Sequence, residues 1–495
     1  MKKHLLTTAA CACALAALAA PAGGIDYGAT EDEVKVSPAT LLPQLAEVGL
    51  KKNVIRVTWN PDDPSALPPE SGQIDALLPI ASANGIRVVF AVYQARATAL
   101  ASSPVAVAQF SAWLGSLARR FPQVREYIGP NEPNQPRFWQ PQFDEGCGNA
   151  SGAAYFTAMS AMYDALKAVD GGIRVVGVAL SPRGNDNCRA ASNVSTSPVR
   201  FLRSLGQAYR GSGRRAPLMD ALSFHPYPNE NTHEPGRGYT WPNVGVPNLG
   251  RLKQAVWDAF GGTAQPTFEE GLTIDLDEVA WQVDTSARGD YTGAENVPTV
   301  DEPTQARYYA EVVRFFACDP SVSSMSFFHF VDELDRDRFQ SGLLRRDGSR
   351  REAFEAVRGA IAESGRDCAG RPVVWRHTSS VVGGEADFGT LARSSFKRTA
   401  YNFRVTADEE ALYRAGIFRI EGRLDRGAVV RSLSTSGAPR PVGAAAGTIK
   451  ANFDVLVQFT KRRLRPGRYV YAVRLRAAMN EARRVAFVSR PFVVQ

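Results

Sequence analysis

Val124-Arg-Glu-Tyr-Ile128-Gly-Pro-Asn131-Glu132-Pro133-Asn134 is the stretch on which the fold turns. A short β-like run ends abruptly in Gly-Pro. An amide and a carboxylate follow side by side, and a second proline closes the segment. The pattern is that of a strand whose last residues leave the sheet. Such a strand end holds the Glu132 carboxylate at the rim of a core, partly desolvated, where a carboxyl pKa rises. A turn with a solvated glutamate has the same local signature, and a second carboxylate at an equivalent strand end would separate the two.

Outward from this stretch, strands and helices alternate. Upstream, 54–59 and 86–93 read as strands, with helical spacing over 38–51, 72–84 and 104–121. Downstream, strands at 173–179, 221–227, 272–278 and 325–331 alternate with helices at 153–169, 199–211, 249–260, 304–316 and 351–364. A first strand within 26–36 makes eight units. Largely apolar strands joined by helices imply a parallel sheet. Eight such units imply an α/β chain with a closed (β/α)8 TIM barrel. A doubly wound open sheet is the alternative, and no Gly-rich first turn supports it.

After residue 371 the helical pattern stops. Short alternating runs at 373–375, 398–405, 415–420, 428–432, 453–458, 469–476 and 484–494 are separated by turn residues, which predicts an antiparallel β-sandwich. Charge changes at the same place. Residues 371–495 hold 23 Lys/Arg and 9 Asp/Glu, an excess of 14, while the whole chain is +8. The expected organisation is a signal peptide over 1–22, a catalytic barrel over 25–370 and an accessory sandwich over 371–495. The arginines interleave with strand-like residues and do not run along a helix. A solvated sheet face follows, or contact with an anionic glycan or cell surface, and no nucleic-acid partner is expected.

Met1-Lys-Lys-His, the alanine-rich apolar run 5–19 and Ala20-Pro-Ala22 fit a secretory signal, so the expected location is extracellular. Composition, 44% hydrophobic and 22% charged, excludes a mostly disordered chain. No later stretch reaches 18 apolar residues, so no membrane span is expected. Beyond the signal, Cys147, Cys188, Cys318 and Cys368 are an even set in an exported chain. Cys147 with Cys188, both in loops after strands four and five, and Cys318 with Cys368 are the expected disulfides. Cysteine and histidine spacings match no zinc site. Walker, Rossmann, Gly-x-Ser-x-Gly and His-Glu-x-x-His motifs are all missing, so neither metal nor cofactor is expected.

Functional residues of a (β/α)8 barrel lie at the C-terminal ends of its strands. Glu132 ends strand four and Glu278 ends strand seven, across the mouth from each other. Two opposed carboxylates are what glycosidic cleavage needs: one protonates the leaving oxygen and the other attacks or activates water. His225 and Tyr227, two apart on strand six, point the same way and lie beside strand seven. Arg56 on strand two can hold a carboxylate ionised. Each residue alone is more often structural than catalytic, and their coincidence at strand ends carries the reading.

Asn131-Glu132-Pro133, His225-x-Tyr227 and Asp277-Glu278-Val-Ala-Trp281 resemble the retaining glycoside hydrolases of clan A, and Gly342-Leu-Leu-Arg-Arg-Asp347-Gly348 resembles a segment following strand eight there. A barrel followed by a sandwich is similar to glycoside hydrolase family 39 and family 5-like bacterial proteins. The resemblance implies a retaining O-glycosyl hydrolase acting on a poly- or oligosaccharide. In it Glu132 is the acid/base, Glu278 the nucleophile, Asn131 the contact to the sugar 2-OH, and Arg56 and Tyr227 flank the nucleophile. The chain departs from the clan at Pro130, where Trp is frequent, at Ala280, where Gly is usual, and at Phe327-Phe-His-Phe330, where a Trp platform is common. Trp59, Trp139, Trp241 and Trp281 are then the candidates for sugar stacking, with core packing as the other reading of each. A non-catalytic glycan-binding or cell-surface protein on an inherited barrel is the alternative function, and the presence of both glutamates favours the enzyme.

Overall fold

The computed structural model describes residues 24–364, 374–389, 401–434, 439–459 and 464–494. The signal expected over 1–22, and Cys368 with its expected bond to Cys318, lie outside the described residues.

Eight parallel strands follow one another in sequence order and close into a barrel. They are β1 (Asp26–Thr30), β2 (Lys52–Trp59), β3 (Arg87–Gln94), β4 (Glu126–Ile128), β5 (Arg174–Leu180), β6 (Ala221–Phe224), β7 (Thr273–Val279) and β8 (Val322–Phe327). β8 pairs with β1 and shuts the ring. The helices between and after them are α1 (Pro38–Val48), α2 (Ser71–Ala83), α3 (Ala99–Ser102), α4 (Pro104–Arg120), α5 (Ala150–Val169), α6 (Pro198–Ser212), α7 (Leu249–Phe260), α8 (Glu302–Ala317) and α9 (Glu352–Ser364). Proline opens the first turn of α1, α4, α6 and α8, where its missing N–H costs nothing and its fixed φ suits a helix. Ser103 and Asp301 cap α4 and α8 by accepting from the N–H of Ala106 and Thr304.

The barrel interior has three levels. Its floor is charged: Lys52, Glu126, Arg174, Asp275 and Asp277 meet there. Val54, Val89, Ile128, Val176 and Ala221 form an apolar plug above it. The candidate site lies above the plug, at the C-terminal strand ends.

The C-terminal region is two packed antiparallel sheets, as expected. Its strands are β9 (Glu385–Asp387), β10 (Asn402–Thr406), β11 (Ala411–Arg419), β12 (Gly443–Ile449), β13 (Val455–Gln458), β14 (Gly467–Ala477), β15 (Arg484–Val488) and β16 (Phe492–Val494). The smaller sheet runs β13-β10-β9 and the larger β12-β11-β14-β15, with β16 also on β14. Phe403, Val405 and Val457 meet Ile417, Val473 and Leu475 in the core. The region docks on α7. Arg483 bridges Glu409 and Asp258, at 2.6 and 2.9 Å, and His377 stacks on Trp257 at 3.8 Å.

Three local expectations are corrected. The run 428–432 is not a strand but part of α10 (Arg426–Ser432). Asp425 caps it by accepting from the Ala428 N–H, and Val429 and Leu433, one helical turn apart, bury together against Phe418 and Val470. Val374 and Trp375 are irregular chain, and Val373 lies outside the described residues. β12 was not expected: Gly443-Ala-Ala-Ala-Gly-Thr-Ile449 has little β propensity and is held by its pairing with β11.

Candidate active site

Glu132 is positioned by a distortion in the neighbouring strand. The β5–β6 pairing shifts register between Gly177 and Leu180. Val178 and Ala179 there have φ of 85° and 42°, and a β-branched residue adopts positive φ only when its surroundings force it. The distorted strand presents the Ala179 carbonyl to the Glu132 N–H at 3.0 Å and the Val176 carbonyl to the Gly129 N–H at 2.7 Å. Glu132 is itself in the left-handed region, with φ 35°. Gly129 is required at the turn, since a Cβ would lie 2.6 Å from the Tyr155 hydroxyl. Asn134 locks the loop: its amide donates to Ser181 O and Thr196 O and accepts from the Ser181 N–H. The expected disulfide between Cys147 and Cys188 joins the β4 and β5 loops, with Cα atoms 5.5 Å apart.

Glu278 depends on a second irregularity. Strict alternation along β7 would turn it away from the side facing Asp277. The β7–β8 register shifts between Leu276 and Val279. Asp277 therefore reaches Lys52 on the floor, at 2.9 Å, while its neighbour Glu278 lines the mouth.

The two glutamates converge on His225. Its Nδ1 lies 3.0 Å from Glu132 Oε1 and 3.5 Å from Glu278 Oε2. The Tyr227 hydroxyl donates to Glu278 Oε2 at 2.6 Å. One donor atom from each of Glu132, His225 and Glu278 falls within 4.8 Å of the others. Burial raises the Glu278 carboxyl above its ordinary range, and the Glu132 charge adds to the rise, while His225 and the Tyr227 hydroxyl pull it back. Burial opposes an imidazolium at His225, but the two carboxylates outweigh it and push His225 up to about 9. The cluster has the spacing of a metal site. Two carboxyl groups in contact with one imidazole also suit proton handling.

A cleft of about 1150 Å³ surrounds the pair. Asn131, 8% exposed, borders it beside Glu132. The structure corrects several expectations. β6 stops at Phe224, and Tyr227 reaches Glu278 after a tight turn in which its N–H donates to His225 O. Arg56 borders the cleft, but its ion pair is with Asp32 at 3.7 Å, not with Glu278, and its side chain is 60% exposed. Trp59, Trp139 and Trp281 are fully buried. They pack on Phe110, Tyr155 and Tyr309 respectively, and none lines the cleft. Trp241 lies under the Arg200 guanidinium, also outside it. The aromatic lining instead comes from Tyr93, Phe138, Tyr227, Tyr239, Phe328, His329 and Phe339, with Phe328 and Phe339 centroids 4.8 Å apart.

Asn134 and Tyr93 were also missed. Asn134 carries no signal beyond its place in the quoted stretch. Tyr93 lies near the end of β3, and the strand-end test would have found it. Burial, then the charges of Glu278 and Glu132, push its phenol well above the usual range.

No protein-family model matches the chain, and no curated protein matches it. Among solved structures, the chain is similar to a GH5_18 protein of Streptomyces cattleya in complex with GlcNAc, at 13% identity and TM-score 0.47, over 72% of this chain and 83% of that one. It is also similar to a monomeric β-xylosidase of Caulobacter crescentus, at 16% identity and TM-score 0.44, over 92% and 96%. A glucosidase of Croceicoccus marinus aligns at 13% identity and TM-score 0.44, over 86% and 92%. A barrel hosts many unrelated chemistries, so function is argued from the site.

Proposed function

We propose that this chain is a secreted glycoside hydrolase that cleaves O-glycosidic bonds of a poly- or oligosaccharide with retention of configuration. The observation that carries the reading is the Glu132–Glu278 pair at the ends of β4 and β7, with one oxygen of each within 4.8 Å of the other. Double displacement works with carboxyl groups about 5–5.5 Å apart, whereas inversion needs about 6.5–9.5 Å to admit a water. Export is supported by the Cys147–Cys188 disulfide, and no described helix is long and apolar enough to cross a membrane.

In this reading Glu132 donates its proton to the glycosidic oxygen as Glu278 attacks the anomeric carbon. The leaving alcohol departs and an ester forms. Glu132, now a carboxylate, takes a proton from water, the water oxygen attacks the anomeric carbon, and Glu278 leaves as a carboxylate. In this reading Tyr227 orients the Glu278 carboxylate through their hydrogen bond, and Asn131, at the cleft border, contacts the sugar 2-OH.

The experiment is azide rescue on an activated aryl glycoside. Glu132→Ala keeps the first step and gives a glycosyl azide of retained configuration, with unrescued turnover on poor leaving groups falling about 10²–10⁴-fold. Glu278→Ala loses the first step on every substrate and gives the inverted azide. Reversed stereochemistry would exchange the two roles, and unchanged activity in both variants would place the chemistry elsewhere.

A further inference from the structure

The outer face of the larger C-terminal sheet carries an unbalanced cluster of charge. Arg474 and Arg476 are two residues apart on β14 and share a face. The antiparallel register sets Arg414 of β11 opposite Arg474, and Arg484 of β15 opposite Arg476. The alternate residues Val473, Leu475 and Ala477 enter the core, so the four guanidinium groups point outward together. α10 covers the far end of this face, over Val470 and Ala472. Arg414 and Arg484 are exposed.

Like charges placed opposite one another destabilise a sheet. Partial burial, followed by Arg484, Arg476 and Arg414, drives the Arg474 guanidinium below its usual range. Among the described residues the acid paired with this group is Glu481, on Arg476 at 2.5 Å. An anion bridging the guanidinium groups would relieve the repulsion.

The form of the face narrows the anion. Opposed residues stand about 5 Å apart and alternate ones about 7 Å, so successive guanidinium forks can meet carboxylates repeating along one chain. Their neighbours Leu412, Ala446 and Ala486 offer no ring for stacking a base, which single-stranded nucleic acid requires. The cleft is no rival site, since its lining holds ten Asp/Glu against five Lys/Arg.

We propose that Arg414, Arg474, Arg476 and Arg484 form a binding face for an acidic polysaccharide with repeating carboxylates. It does not depend on the chemistry assigned to the cleft.

The test uses the full chain and polygalacturonate as probe, titrated at low and high salt. The wild type binds, and binding weakens as salt rises. Changing the four arginines together to serine weakens it by about tenfold or more. The unfolding temperature of that variant stays level or rises, because the repulsion is gone. A second variant, with Arg404, Arg419, Arg423 and Arg440 changed to serine, has the same net charge and keeps its affinity. Four results overturn the proposal: no binding by the wild type, full binding by the first variant, equal loss in the second, or tighter binding to DNA or phosphatidylserine vesicles than to polygalacturonate.

Discussion

Strand β7 carries two kinds of buried acid within four residues. Asp275 and Asp277 belong to the barrel floor, and Glu278 belongs to the mouth. On the floor, the Arg174 guanidinium takes both Asp275 oxygens, at 2.7 and 2.8 Å, and the Lys52 ammonium lies within 3.3 Å of Asp275, Asp277 and Glu126. Burial alone would raise Asp275, but Lys52 and Arg174 win and hold it well below the carboxylate range. At the mouth, one imidazolium serves two carboxylates, and Glu278 is raised. Depth is the same in both places. The ratio of cations to acids decides whether a buried carboxyl is frozen as an anion or left able to take a proton.

The sharpest way to break this comparison is Lys52→Met. Among the described residues it leaves Asp277 without a cation, while Arg174 still holds Asp275 and Glu126, and removing one partner of a buried ion pair costs about 3–5 kcal/mol. Chemical denaturation should show a loss of that size, and an unchanged midpoint would mean the floor is not held by its charges.

His225→Gln tests the mouth through pH. His225 is raised in the folded chain, so its contribution is fully present below its ordinary value near 6.5 and disappears as pH climbs to about 9. The wild type should exceed the variant by about 1–3 kcal/mol near pH 6, and the gap should close by about pH 10. A constant gap would show that His225 stabilises only by packing.

The smallest effect is also the most discriminating. Glu278 is raised too, so its contribution is present only below the ordinary carboxylate pKa and is lost as pH rises through the folded value. At neutral pH the charged form is a liability, and Glu278→Gln should gain about 1 kcal/mol while losing turnover. Asp275→Asn should do the reverse in stability. If both variants melted below the wild type, the two ends of β7 would not differ in kind.

Periodicity made most of the architecture legible. The 249–260 helix was expected with the bounds that α7 has, because its apolar residues recur at helical spacing and Gly261 ends it. The strand ends carrying Glu132 and Glu278 were legible from the Gly-Pro break and from the rule that barrel chemistry sits at strand ends. The irregular pairings of β5 and β7 were not. They lie in the pairing with neighbouring strands, and nothing in Gly177-Val178-Ala179 or Leu276-Asp277 announces them. The tryptophans, and the carboxylate that pairs with Arg56, were misread for a related reason. Residue type says what a side chain can do, while the direction in which it points is set by neighbours distant in sequence. The upward push on Glu278, 7% exposed, was not legible either, because it comes from burial in the assembled mouth.

The Arg483 clamp bears on how such a protein can be inherited. Among the described residues, the cation facing Asp258 of the barrel is Arg483, which the sheet region supplies. A gene shortened after α9 would leave that aspartate without its counter-ion and strip the ring of His377 from Trp257. Exchanging either half alone would leave one side of this ionic joint unmatched, a buried charge without its partner.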